Sequence, residues 1–236
     1  MADTRPDSKR TTLPLFPLQT VLLPGTHLPL HIFEPRYRQL TVDLVTETVP
    51  DRLFGVIAIR TALVQEVEEL EHVQHIGCAA RLQQAKRLPD GRFDITTTGH
   101  RRFRLLDLDL HSAPYLVGTV EWLDDHALPP ESEDVAWRLA DLARAAHRRY
   151  CESAWEQEST RAPAPDTDPA DLAYLLAADC LLPLADRQAL LEERQPLRRL
   201  RTVCGLLNRE AGFLSKLHAV PAPLAEMDKT VKPSLN

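Results

Sequence analysis

Leu13-Pro14-Leu15-Phe16-Pro17-Leu18-Gln19-Thr20-Val21-Leu22-Leu23-Pro24 is the stretch on which the fold turns. Prolines at 14, 17 and 24 exclude a helix, because each lacks the N–H a helix needs and its ring clashes with the preceding turn. Proline also cannot donate to a sheet ladder, so 13–17 reads as an extended edge segment leading into a short strand at 21–23. Gly25 supplies a turn and 28–33 is the next extended run. Pro35 then suits the first position of a helix. Tyr37, Leu40 or Thr41, Leu44, Val45 and Thr48 recur at helical spacing, predicting an amphipathic helix over 35–48.

Downstream the pattern turns to strands. Residues 53–59 are continuously apolar over a strand's length, which predicts a strand buried on both faces. Strand character resumes at 76–88, and Leu88-Pro89-Asp90-Gly91-Arg92 is a hairpin signal, with Pro presetting one turn angle and Asp-Gly the positive-φ end. Alternation over 92–98 predicts the return strand, broken at Gly99-His100, with further strands at 103–110 and 115–123. Half a dozen strands with short turns and one inserted helix predict a small barrel-like domain over 13–127.

After Pro129-Pro130 the chain reads as helices over 128–218. Glu131, Glu133 and Asp134 place negative charge at a helix start, and Val135, Leu139, Leu142, Ala146 and Tyr150 mark its apolar face to about 156. A loop is expected near 157–168, where Pro163 and Pro165 fall. Asp168-Pro169-Ala170-Asp171 opens a helix over 169–181 by capping side chain, Pro and first-turn carboxylate. Two more helices are expected, at 185–194 and from Pro196, the last with Leu197, Leu200, Val203, Leu207 and Leu214 inward and Arg198, Arg199 and Arg201 outward. The polar segment 1–12 and the Pro-rich tail 219–236 are expected to be disordered.

Composition excludes several functions. The 236 residues carry 28 Lys+Arg against 34 Asp+Glu, a formal charge of −6. Residues 1–127 and 128–236 each hold 14 basic and 17 acidic groups, so no basic half hides behind the average. Nucleic acids and anionic membranes are therefore not expected partners, since phosphate binding demands concentrated positive charge. No segment approaches the roughly 18 apolar residues of a membrane helix, and the polar N-terminus is no signal peptide, so a cytoplasmic setting is expected. Cys78, Cys151, Cys180 and Cys204 match no zinc or redox spacing. His72 and His75, beside Glu71, lack a third ligand and end an acidic run that reads as a solvated loop. His27 and His31 would share one face of a strand. Phosphate-binding glycine loops and the Gly-x-Ser-x-Gly elbow are absent, so neither cofactor nor catalytic residue is assigned.

Three blocks, in order, resemble the N-terminal substrate-binding domain of Lon proteases. They are the run from Leu13 to Leu30; Ile76-Gly77-Cys78-Ala79-Ala80-Arg81 with Leu88-Pro89-Asp90-Gly91 and Gly99-His100-Arg101-Arg102-Phe103-Arg104; and the run from Leu182 to Glu192 leading to Leu206-Leu207-Asn208-Arg209-Glu210. The string Ile32-Phe33-Glu34-Pro35-Arg36-Tyr37-Arg38 is most similar to short, stand-alone members of that family. The resemblance implies an α+β fold, a PUA-like pseudo-β-barrel with one inserted helix followed by a C-terminal helical subdomain. It also implies a non-catalytic module that recognises polypeptide segments or works with a protease partner. Lon's ATPase and Ser-Lys protease modules are expected to be missing, and Ser215-Lys216, being adjacent, are not that separated dyad.

Within that frame the candidate binding residues are Phe16, Leu18, Phe33, Glu34, Arg36, Tyr37 and Arg101. Glu34 to Arg38 can be read as a helix-start corner or as a binding edge offering charge-assisted and aromatic contacts. An apolar sheet edge at Phe16 and Leu18 could take an extended peptide by strand addition. Arg101, Arg102 and Arg104 interleave with Phe103, a pattern that a small-molecule or RNA binder on the same barrel could use. Asp107 and Asp109, next along, favour a half-exposed strand of mixed charge instead.

Overall fold

In the computed structural model, which describes residues 10–61, 66–154 and 162–217, the chain runs β1 (Arg10–Leu18), β2 (His27–Ile32), α1 (Pro35–Val45), β3 (Leu53–Ala58), β4 (Ile76–Arg87), β5 (Phe93–Asp109) and β6 (Val117–Trp122), then α2 (Glu133–Ala154), α3 (Pro169–Ala178), α4 (Leu184–Glu192) and α5 (Pro196–Leu217). The sheet order is β2-β5-β4-β3-β1-β6, and β5 pairs with β6 as well, closing five strands into a ring with β2 attached outside it. The 17-residue β5 makes this possible: its first part pairs with β2 and its last part with β6. The architecture is α+β, an unevenly closed PUA-like pseudo-barrel with one inserted helix and a helical C-terminal part. Of the segments expected to be disordered, 1–9 and 219–236 lie outside the described residues, as does 157–161 of the expected loop.

The opening stretch departs from its expected role. Arg10–Leu18 is one strand inside the sheet, antiparallel to β6 at residues 10–14 and parallel to β3 at 15–18, and 21–23 is buried but not a strand. Residues 10–12, expected to be disordered, are its start. The prolines are tolerated because each side of β1 is paired over only half its length. Leu15 N donates to Leu116 O (2.7 Å) and Leu18 O accepts from Ile59 N (2.9 Å), so odd residues face β6 and even residues face β3. Alternation then points Pro14 toward β3 before that pairing starts, and Pro17 toward β6 after that pairing has ended. Neither proline leaves a ladder bond unmade.

The hairpin forms as expected, with Leu88 N donating to Arg92 O (2.8 Å) and Gly91 at φ 81°. The expected break at Gly99-His100 is instead a bulge within continuous β5, where Ala79 pairs with Arg101 and Ala80 with Gly99. Gly99 is needed because the chain at Leu23 to Thr26 crosses directly over it: a Cβ there would collide with the Leu23 carbonyl, and Gly99 exchanges backbone hydrogen bonds with Gly25 and Thr26. Beyond the bulge Phe103 turns inward and is fully buried in the barrel interior with Leu15, Ile57, Leu105 and Val120.

The second core packs the outer face of the barrel against α1 and the C-terminal helices, running without interruption from Phe16 and Tyr37 to Leu172, Leu200 and Leu207. Two expectations about these helices are corrected. The buried face of α2 is Ala136, Ala140, Ala143, Ala146, His147, Tyr150 and Ala154, while Val135 and Leu142 are exposed. Small side chains let α2 lie close against α5, and that outweighs the hydrophobicity of the longer residues. On α5, Arg199 points inward and is fully buried, held by Asp125 across 74 residues of sequence. Local periodicity carries no signal of a partner that distant.

The four cysteines are free thiols. Burial pushes Cys78 up to about 12 and raises Cys180 as well, whereas Cys151 and Cys204 are only partly covered, Cys151 lying 3.7 Å from His147 Nε2. A thiol reagent at pH 8 should therefore label Cys151 and Cys204 in the native protein and reach Cys78 and Cys180 only on unfolding. Mass spectrometry of the labelled peptides checks this; early labelling at Cys78 would contradict the packing.

Candidate functional site

Where β6 leaves β1, the outer edge of 15–18 has no further strand beside it among the described residues, and β2 is likewise paired on one side only. A groove of about 510 Å³ lies here, bounded by Phe16, Pro17 and Leu18 of β1, Leu30 and His31 of β2, the start of α1, Glu66 to Glu68, and Leu110 with Pro114 to Leu116 of the β5–β6 turn. Its position follows from the sheet: the ring closes between β5 and β6, so the far end of β1 is left uncovered.

The floor is aromatic. Phe16 and Tyr37 stack with ring centroids 3.9 Å apart and planes within 9°. Tyr37 reaches this position because Pro35 starts α1 just after β2, one residue beyond Glu34, whose extended backbone precedes the first turn. The Arg36 guanidinium lies 4.9 Å over the Tyr37 ring, bonds Glu34 at 2.9 Å and approaches Glu66 at 4.0 Å. Burial pushes the Tyr37 hydroxyl up to about 12, with Arg36 opposing and Glu34 and Glu66 adding to the rise. Tyr115, which donates to Asp43 at 2.8 Å, is raised to about 12 by burial and then by that bond. Both hydroxyls are neutral at physiological pH, so they act as hydrogen-bonding groups.

Phe33 stands on the rim with 61% of its surface exposed, its ring 6.5 Å from that of His31. His31 bridges Asp94 (2.7 Å) and Arg92 (3.1 Å), and His27 on the same strand meets Thr98 (3.2 Å).

The fold thus brings together Phe16, Leu18, Phe33, Glu34, Arg36 and Tyr37 around one groove and leaves Arg101 out of it. Arg101 pairs with Asp124 at 2.7 Å and lies 5.1 Å over the Trp122 ring. Sequence reasoning missed Leu30, Ile59, Glu66, Glu68, Leu110 and Tyr115, which come from separate segments joined only by the topology. The acidic run 66–71 was visible as charge, but nothing local to it says that it borders an apolar floor. Strand addition is also limited here. Pro17 offers no N–H on its open side, and Pro29 interrupts the donors of β2, so neither edge presents a continuous ladder.

A pseudo-barrel of this topology, carrying a helical partner and an open groove beside β1, defines a PUA-like α+β fold. Residues 12–209 match the model of the "ATP-dependent protease La (LON) substrate-binding domain", and the chain belongs to that family. Lon protease 2 of Myxococcus xanthus is 30% identical over 223 residues, and the Lon protease of Anaeromyxobacter dehalogenans 29% over 223. Each alignment covers 92% of this chain and 26% of the relative, so the chain spans about a quarter of the length of these curated relatives. Among solved structures, a Lon N-terminal domain protein from Xanthomonas campestris superposes with TM-score 0.57 at 28% identity, covering 89% of this chain and 99% of that one. The N-terminal domain of the Mycobacterium avium complex Lon protease gives TM-score 0.61 at 19% identity, covering 84% and 98%, and speaks to the fold alone.

Proposed function

We propose that the chain is a non-catalytic, cytoplasmic recognition module that holds extended or unfolded polypeptide segments in the groove beside Phe33 and is linked to proteolysis or protein quality control. The observation that carries the reading is an exposed aromatic set against a stacked aromatic floor, in a chain whose family is described as substrate-binding. Apolar side chains of a loosely structured segment would gain by leaving water there, and sequence tolerance follows because burial is non-directional. No helix among the described residues is long and apolar enough to cross a membrane.

Phosphate recognition draws no support from the basic strand. Arg101 and Arg104 are paired with Asp124 and Glu121, Arg102 is buried, and Phe103, the ring that might have stacked a base, is inside the barrel.

Binding of a fluorescent, permanently unfolded polypeptide tests the proposal. The protein should bind it, and Phe33→Ala should weaken binding about tenfold, as expected for truncating an aromatic anchor. A wild-type protein that binds no such polypeptide, or a Phe33→Ala variant that binds as well as wild type, would overturn it.

A further inference from the structure

The rim of the groove carries a charge pattern that selects among polypeptides. Glu34, Glu66 and Glu68 line the groove, and Asp43 lines the shallower depression that continues it past Arg36 and Pro114. Against these four carboxylates stands one guanidinium, that of Arg36, already shared between Glu34 at 2.9 Å and Glu66 at 4.0 Å. Glu68 has no ion-pair partner among the described residues, and His31, which also lines the groove, is held by Asp94 at 2.7 Å. The tyrosine hydroxyls on this path stay neutral, so they do not change the balance.

We propose that the occupant of this groove is an extended polypeptide segment in which a large apolar side chain is flanked by lysine or arginine, and that segments flanked by aspartate or glutamate are rejected. The inference rests on the proposed polypeptide binding and adds its selectivity. The apolar floor takes the large side chain; the rim carboxylates meet the flanking cations. Because Glu66 is well exposed, the attraction is individually weak and screened by salt, and so acts as a bias on top of apolar burial. Rejection is the sharper half, since an acidic flank would bring like charges together at a rim whose one guanidinium, among the described residues, is already shared between two carboxylates. The prolines on both bordering edges strengthen the dependence on side chains, because backbone pairing would bind basic and acidic segments alike.

The experiment compares two labelled peptides of equal length and identical apolar centre, one with lysine and one with glutamate flanks, by fluorescence anisotropy at low and high salt. The lysine peptide should bind about fivefold tighter at low salt, with the difference shrinking at high salt. In the doubly substituted Glu66→Lys, Glu68→Lys protein the order should reverse. Equal binding of the two peptides, or tighter binding of the glutamate peptide by the wild type, overturns the selectivity while leaving polypeptide binding standing. If neither peptide binds, the groove reading itself fails and takes the selectivity with it. A preference that persists unchanged in the double variant places its origin elsewhere and also overturns the proposal.

Discussion

Asp125→Ala should lower the stability of the chain by about 3 kcal/mol in chemical denaturation, because it strands two buried cations. Arg102 and Arg199 keep 4% and 0% of their side-chain surface in water, and Asp125 binds both. Its carboxylate bonds Arg199 at 2.6 and 3.0 Å and closes on Arg102 as well. The terminal nitrogens also reach the carbonyls of Leu191 and Glu193 from Arg102, and of Glu193 and Ala170 from Arg199, while Arg199 Nε is buried without a hydrogen-bond partner among the described residues. The Arg199 guanidinium also lies 4.2 Å over the Tyr174 ring. Burial alone would pull Arg199 down, yet the bond to Asp125 and the charges around it hold it raised. Asp125 itself is 30% exposed, which puts the expected loss at the lower end of the range for breaking a buried pair. Replacing all three residues together by Leu and Met of similar volume should cost less than Asp125→Ala alone, since no unpaired charge then remains. A single variant within about 1 kcal/mol of wild type would show that water reaches the arginines and that the triad does not join barrel to helices.

The network also shows why some of the molecule is legible in its sequence and some is not. The hairpin at 88–92 and the Pro-started helices follow from features a few residues apart, such as Gly91 behind Asp90 or Asp168 before Pro169. Asp168 indeed accepts from Ala170 N. What failed depended on distant chain segments. Pro14 and Pro17 look incompatible with an interior strand until β3 and β6 are known each to cover only half of β1. Arg199 looks like a solvated charge until Asp125 is placed beside it. Gly99 looks like a strand breaker until the crossing chain at Leu23 explains it. The groove shows the same division: the Phe33 to Tyr37 string could be singled out because the turn before Pro35 makes its members local neighbours, and Phe16 because it sits in a Pro-interrupted apolar run. Glu66, Leu110 and Tyr115 join them only through the closure of the ring.

Phe103→Ala should be the most damaging single change in the barrel, costing about 4 kcal/mol by equilibrium unfolding. The ring is fully buried, and its surroundings cannot move in to fill the space it would leave. Gly77 and Gly55 lie directly against it: a Cβ at Gly77 would overlap the ring and one at Gly55 would sit 2.8 Å from it. Bare backbone from β3 and β4 thus forms part of the wall, and backbone locked in the β3–β4 and β4–β5 ladders is less able to relax than side chains are. Since the penalty for a truncated core residue grows with the cavity that persists, a rigid wall places this site toward the upper part of the usual range. Phe16→Ala should cost less despite removing the same side chain, because Phe16 borders the groove and water can enter where its ring was. Phe103→Leu should recover most of the loss, as it restores much of the volume without asking the glycines to move. If Phe103→Ala cost no more than Phe16→Ala, the interior of the ring would have to be deformable, and the uneven closure of the barrel between β5 and β6 would be where it yields.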